Sequence, residues 1–138
     1  VKALGQAISD KDLNPAYRAE LLRLPGQADI AREIGRNVDP QLIHRAHANL
    51  SRLTATTLGD DLEAIYASAA TRGGFSPDAK SAGKRALRNA ALTLLTARGE
   101  PRDLNRVWDH FRKATSMTDQ AHALVLISSL DIPERILA

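Results

Sequence analysis

No cysteine occurs anywhere in these 138 residues. Disulfides and thiolate-bound metals are therefore excluded, and a reducing compartment is permitted. Aromatic residues make up only 4% of the chain, so leucine, isoleucine, valine and alanine must build its core. No apolar run approaches the roughly 20 residues that a membrane-spanning helix needs. No signal-peptide pattern is visible. An H-E-x-x-H zinc motif, a G-x-S-x-G nucleophile elbow and a phosphate-binding loop are all missing from the sequence. The chain does not open on methionine, and its single Met is Met117. Val1 to Leu4 already reads as helix, and Ile132 to Leu137 reads as a helix beginning. Both ends are expected to be cuts in a longer protein.

Hydrophobic residues account for 43% of the chain, close to the globular norm. A chain of this length buries about two thirds of its unfolded surface, enough for a real core. The net charge is +3, and 14 of the 19 basic residues are arginine. The charges of both signs are interleaved, which favours a solvated surface over a block made for an anionic partner.

Three capping residues are followed at once by proline: Asn14-Pro15, Asp39-Pro40 and Ser76-Pro77. The side chain of Asn, Asp or Ser accepts a hydrogen bond from an orphan first-turn N–H, and proline has the backbone angle of a first helical residue. The chain therefore reads as a series of helices. Residues 1 to 8 form the end of one, broken by Ser9 to Asp12. A second runs from Pro15 to about Leu24 and stops at Pro25-Gly26. A third spans Ala28 to Ile34, closed by Gly35.

Asp39-Pro40 opens the longest segment. Leu42, Ala46, Leu50, Leu53, Leu58, Leu62, Ile65 and Ala69 recur at helical spacing and predict one buried stripe running to about Thr71. Gly59 interrupts it, so one kinked helix or two helices are both compatible. Arg72-Gly73-Gly74 reads as a loop. Ser76-Pro77 starts the next helix, with Leu87, Ala90, Ala91, Leu94 and Leu95 as its buried side. Gly99 and Pro101 end it. Leu104, Val107, Trp108 and Phe111 then mark a clean amphipathic face. Thr118 is the expected cap of the last helix, whose stretch from Ala121 to Leu130 is apolar nearly all round and should be buried on several sides.

Short connections between these helices predict antiparallel pairs. The expected fold is all-α, with helix pairs stacked into a curved array in the HEAT or armadillo manner. The whole of 1–138 reads as one helical segment.

No residue pattern spells out a reaction. His44 and His47 are three apart, not the four of a zincin pair, and read as surface or half-buried histidines. His110 and His122 are isolated in sequence and read as structural. Asp60, Asp61 and Glu63 read as a solvated acidic face, because adjacent helical residues diverge. Lys84, Arg85 and Arg88, near Lys80, form the densest basic cluster, yet no aromatic lies between Phe75 and Trp108 to stack a base. Nucleic acid is not an expected partner. Catalytic, cofactor-binding and metal-ligating residues are expected to be absent from this segment.

Several residue runs resemble the bacterial aminopeptidase N family of zinc aminopeptidases. They are Leu13 to Leu22 with Leu24-Pro25, Val38-Asp39-Pro40 leading to Ile43-His44, Leu62 to Tyr66, Lys84 to Leu92, and Met117-Thr118-Asp119. Their order and spacing match from about residue 10 to 130, and it is the collinear succession that is specific. The resemblance implies a larger zinc-dependent enzyme that removes N-terminal residues from peptides. In that family the zinc ligands lie in a separate domain carrying H-E-x-x-H and a G-A-M-E-N type motif. Neither occurs here. The resemblance implies that 1–138 is the first part of a larger C-terminal helical domain, which helps cap the active-site chamber and limit access, without catalytic residues of its own in this segment. Arg85, Arg88 and Asn89 match a family run and are given a structural role. The implied partners are the other domains of the parent chain and its peptide substrates, with no membrane partner. The implied compartment is the cytoplasm, and zinc is the cofactor of the parent only. The alternative reading is a free-standing helical-repeat module that binds a protein or peptide, and a third is an Arg-rich nucleic-acid binder.

Overall fold

A computed structural model describes residues 2–71 and 74–130. Among them are eight helices and no strand: α1 (Lys2–Ser9), α2 (Pro15–Leu21), α3 (Gln27–Ile34), α4 (Pro40–Thr57), α5 (Gly59–Ser68), α6 (Ala79–Thr96), α7 (Pro101–Lys113) and α8 (Met117–Ser129). The helix expected to begin near Ile132 lies outside the described residues, as do Arg72 and Gly73.

Two of the three proline-marked starts form as expected. Asn14 Oδ1 accepts from the Ala16 N–H at 2.8 Å. Asp39 Oδ1 accepts from Gln41 and Leu42 N–H at 2.9 and 3.1 Å. The third start is displaced. Asp78, not Ser76, caps α6 by accepting from the Ser81 N–H at 2.9 Å, while Ser76 Oγ donates to Asp78 Oδ2 at 2.6 Å. Ser76 thus braces the cap, and its bond helps hold the Asp78 carboxyl well below the usual carboxylate range. The cap of α8 is likewise Ser116 and not Thr118. Ser116 Oγ accepts from the Asp119 N–H and donates to the Asp119 carboxylate, so one pair satisfies both groups. Helix α2 ends at Leu21, short of the expected Pro25 boundary. Gly35 closes α3 as expected, with its N–H bonded to Ala31 O.

The long segment after Pro40 is two helices. Leu58 (φ −105°, ψ 19°) separates α4 from α5, which breaks the helical phase. The predicted stripe is accordingly correct only beyond the break. Leu58, Leu62, Ile65 and Ala69 are buried, whereas Leu42, Leu50 and Leu53 are 57%, 42% and 58% exposed. The buried residues of α4 are Ile43, Thr54 and Ala55.

Helix α6 is the hub, touching α2, α4, α5, α7 and α8. Leu87, Ala91, Leu94 and Leu95 join Ile8, Leu22, Ala55, Leu58, Leu62 and Ile65 in the larger core. Leu92 turns to the other side and packs with Val107, Ala123 and Ile127, flanked by Trp108, Phe111 and Leu126. Two α6 faces therefore serve two cores. The helix expected to be covered on several sides, α8, buries Ala123 and Ile127 but leaves Val125 66% exposed. Among the described residues it packs on α6 and α7 alone.

Candidate functional site

Where α5, α6, α7 and the start of α8 meet, the packing turns from apolar to charged. On α7, Arg102, Arg106, Asp109 and Lys113 recur at steps of three or four and so share one side of the helix. Tyr66 from α5, Arg88 from α6 and Asp119 from α8 face the same space. Together with His110 they line a cleft of about 450 Å³.

An ion-pair cluster closes one flank. Arg98, in the α6–α7 connection, donates to both Asp103 carboxylate oxygens at 2.8 Å, and its Nη2 also donates to Glu63 Oε1 at 2.8 Å. The side chains of Arg98 and Asp103 are 7% and 0% exposed. Gly59 makes room for the guanidinium, since a Cβ there would stand 3.0 Å from Arg98 Nη1. Arg106 completes the pairing of Asp103, and Arg102 approaches Glu63 at 3.3 Å. The Asp103 hydrogen bond raises the Arg98 pKa, and the Arg98 hydrogen bond lowers that of Glu63. Glu63 is thus not part of a simple solvated face. Its neighbours Asp60 and Asp61 do stay at the surface side, where Asp61 Oδ1 accepts from Ser9 Oγ at 3.1 Å.

The floor of the cleft is aromatic and neutral. Tyr66 Oη lies 3.0 Å from His110 Nδ1, and His110 Nε2 lies 3.9 Å from Asp119 Oδ1. A carboxylate beyond Nε2 favours the proton there, leaving Nδ1 to accept from the phenol. Burial, with the nearby Arg88 charge second, pushes the His110 pKa down to about 4. Burial also raises the Tyr66 phenol. The guanidinium carbons of Arg88 and Arg106 stand 4.5 and 5.6 Å from the Tyr66 ring centroid. Asp119 is held from behind by Asn89 Nδ2 at 3.0 Å and Ser116 Oγ at 2.9 Å.

The histidines read as isolated, His110 and His122, are therefore each built into a polar network. His122 Nε2 lies 3.0 Å from the Asn89 carbonyl and 2.9 Å from Thr93 Oγ1, and burial lowers its pKa. It lines a second, more apolar cleft of about 450 Å³ with Leu22, Ala90, Leu94 and half-buried His47. His44 is exposed and pairs with Gln27 at 3.3 Å. Among the described residues no three His, Cys, Asp or Glu side chains are grouped to hold a metal ion. The basic run on α6 is divided by the fold. Arg85 donates to the Ser76 carbonyl at 2.8 Å and covers the Phe75 ring, whereas Arg88 enters the cleft.

Sequence reasoning did not find Tyr66, Arg98, Asp103 or Arg106 as a group. The signal available to it was the polar side of α7, with Asp103 and Arg106 three apart and Asp109 and Lys113 four apart.

The architecture defines a class, the all-α helical-repeat proteins. The chain belongs to a particular family within it: residues 1–138 match the model described as "Domain of unknown function (DUF3458_C) ARM repeats". Two bacterial relatives are aminopeptidases N. The protein of Caulobacter vibrioides is 39% identical over 122 residues, which is 88% of this chain and 14% of the relative. That of Escherichia coli K12 is 34% identical over 134 residues, 96% of this chain and 15% of the relative. The chain thus spans about a seventh of the length of the curated relatives it matches. A solved structure of Legionella pneumophila aminopeptidase A, in complex with aspartic acid, superposes with a TM-score of 0.80 at 21% identity. It covers 96% of this chain and 16% of that one, and supports the fold. The likeness to aminopeptidase N carried by the residue runs is thereby shown, and the chain corresponds to a helical-repeat segment of such proteins. No helix among the described residues is long and apolar enough to cross a membrane.

Proposed function

We propose that this chain is a non-catalytic helical segment of a larger, zinc-dependent aminopeptidase of the N type. It forms the first part of a C-terminal helical domain that caps the active-site chamber and restricts which substrates enter. The observation that carries the reading is the 39% identity to an aminopeptidase N over 122 residues. The lack of an H-E-x-x-H pair in the sequence agrees with chemistry supplied by another domain. A cap needs rigidity and shape more than reactive groups. Its partners are the other domains of the parent and the peptides passing through the chamber, in the cytoplasm. Nucleic acid is not among them.

The test is the parent reading frame. The account expects H-E-x-x-H, with a further Glu downstream of it, encoded in frame before Val1. A complete frame without it contradicts the assignment.

One observation favours a second reading, a free-standing module that binds a protein or peptide. Leu42, Leu50 and Leu53 on α4 remain exposed, as do Leu124 and Val125 on α8. In the first reading these side chains face other domains of the parent. A parent frame that ends near Ala138 and lacks the zinc motif would favour the second.

A further inference from the structure

Three buried side-chain atoms have no hydrogen-bond partner among the described residues: Arg88 Nε, Asn89 Oδ1 and His110 Nε2. Buried polar atoms are usually paired, so each exception calls for a reason. Arg88 and His110 line the same charged cleft. The cations there differ in one respect. Arg102 has Glu63 and Glu100, Arg106 has Asp103 and Glu63, and Lys113 has Asp109. Arg88 has no carboxylate within ion-pair distance among the described residues, and its guanidinium lies on the Tyr66 ring instead. The ring face engages the charge and the Tyr66 side chain also takes a hydrogen bond from the guanidinium, while the Nε–H stays without a partner among the described residues.

We propose that the cleft between α5, α6, α7 and the start of α8 binds a carboxylate, with Arg88 as its anchor. A planar fork of N–H donors matches a carboxylate through two parallel hydrogen bonds. His110, 4% exposed, lines the same cleft, and its Nε2 stands 3.9 Å from Asp119 Oδ1 with no hydrogen-bond partner among the described residues. Asp109 and Asp119 also line the cleft, and their charges oppose a doubly charged phosphate more than a singly charged acid. The volume of about 450 Å³ suits a small organic acid or a single acidic side chain of a peptide. This inference does not depend on the aminopeptidase reading.

The experiment follows the Arg side-chain Nε–H signals of the ¹⁵N-labelled chain at constant ionic strength. The probes are propionate for a free acid, N-acetylaspartate N-methylamide for an acidic side chain, propionamide as the uncharged match, and inorganic phosphate. The account expects the Arg88 signal to move to saturation with one or both carboxylates and not with propionamide. The carboxylate that saturates first identifies the source. In Arg88→Gln, followed at the backbone amides of His110 and Lys113, half-saturation should rise at least about tenfold, equivalent to about 1.4 kcal/mol. Circular dichroism checks the fold of that variant. If it does not fold, Arg88→Lys is read instead, with a rise of several-fold expected from loss of the fork. A drift equal to that with sodium chloride overturns the proposal. So does equal binding of propionamide, phosphate binding more tightly than either carboxylate, or binding unchanged in the Arg88 variant.

Discussion

Tyr66 Oη and His110 Nδ1 stand 3.0 Å apart, joining α5 to α7 across 44 residues of chain. Both side chains line the charged cleft, and burial keeps the His110 ring neutral there.

That neutrality sets a pH dependence. The folded His110 titrates at about 4, against an ordinary value of 6.5. Between those values the unfolded chain binds a proton that the folded chain does not. Stability from this group is therefore complete above about 6.5 and is lost as pH falls toward 4. Burial shifts His122 the same way. Urea midpoints measured at intervals from pH 7 to 4 should fall less steeply in His110→Gln than in the unaltered chain. Equal slopes would show that the ring is accessible to protons in the folded state.

The Arg98–Asp103 pair should be costly to split. Removing one partner of a buried ion pair leaves an uncompensated charge and destabilises by about 3–5 kcal/mol. We expect Asp103→Asn to fall near the lower end, because Arg98 keeps Glu63. The double variant Arg98→Met with Asp103→Leu should lose less than the two single losses added together. Additive losses in chemical denaturation would mean that the two side chains act independently.

The phase change at Leu58 separates two leucines that share one sequence stripe. Leu62 is fully buried and Leu53 is 58% exposed. Leu62→Ala should cost about 2–5 kcal/mol, while Leu53→Ala should stay within about 0.5 kcal/mol. A large loss at Leu53 would place it in a packed interface of the isolated chain.

Helix α2 lies close on α6 at Gly83, where an added Cβ would come within 3.1 Å of the Ala16 backbone nitrogen. Gly83→Leu must push α2 away, and overpacking of this kind costs about 1–3 kcal/mol. Gly83→Ala sets a smaller clash against a helix-propensity gain of about 1 kcal/mol. Thermal melts of the two variants should therefore differ in depth, with leucine the worse. Equal melting would show that α2 is only loosely attached.

Caps and proline starts made most helices legible, because their signals are local. Asn14, Asp39 and Gly35 act where the sequence places them. Asp78 and Ser116 were missed because two capping residues lie within a turn of each other, and spacing alone does not rank them. The α4 leucines were misjudged for a different reason. A helical stripe records periodicity, and only the neighbouring helices decide which part of it is covered. The hub role of α6 and the cleft around Arg88 depend on contacts such as Asn89 with Asp119 and Tyr66 with His110, which no local pattern displays. What pointed beyond the fold was the collinear likeness to aminopeptidase N.

On the proposed reading, this polypeptide contributes enclosure and leaves the chemistry to another part of a larger enzyme. The most direct measurement is hydrolysis of alanine p-nitroanilide by the purified chain, with its zinc content determined on the same sample. The account predicts no turnover above the buffer rate and no stoichiometric zinc. Turnover that tracks the chain through purification and stops on chelation would contradict it.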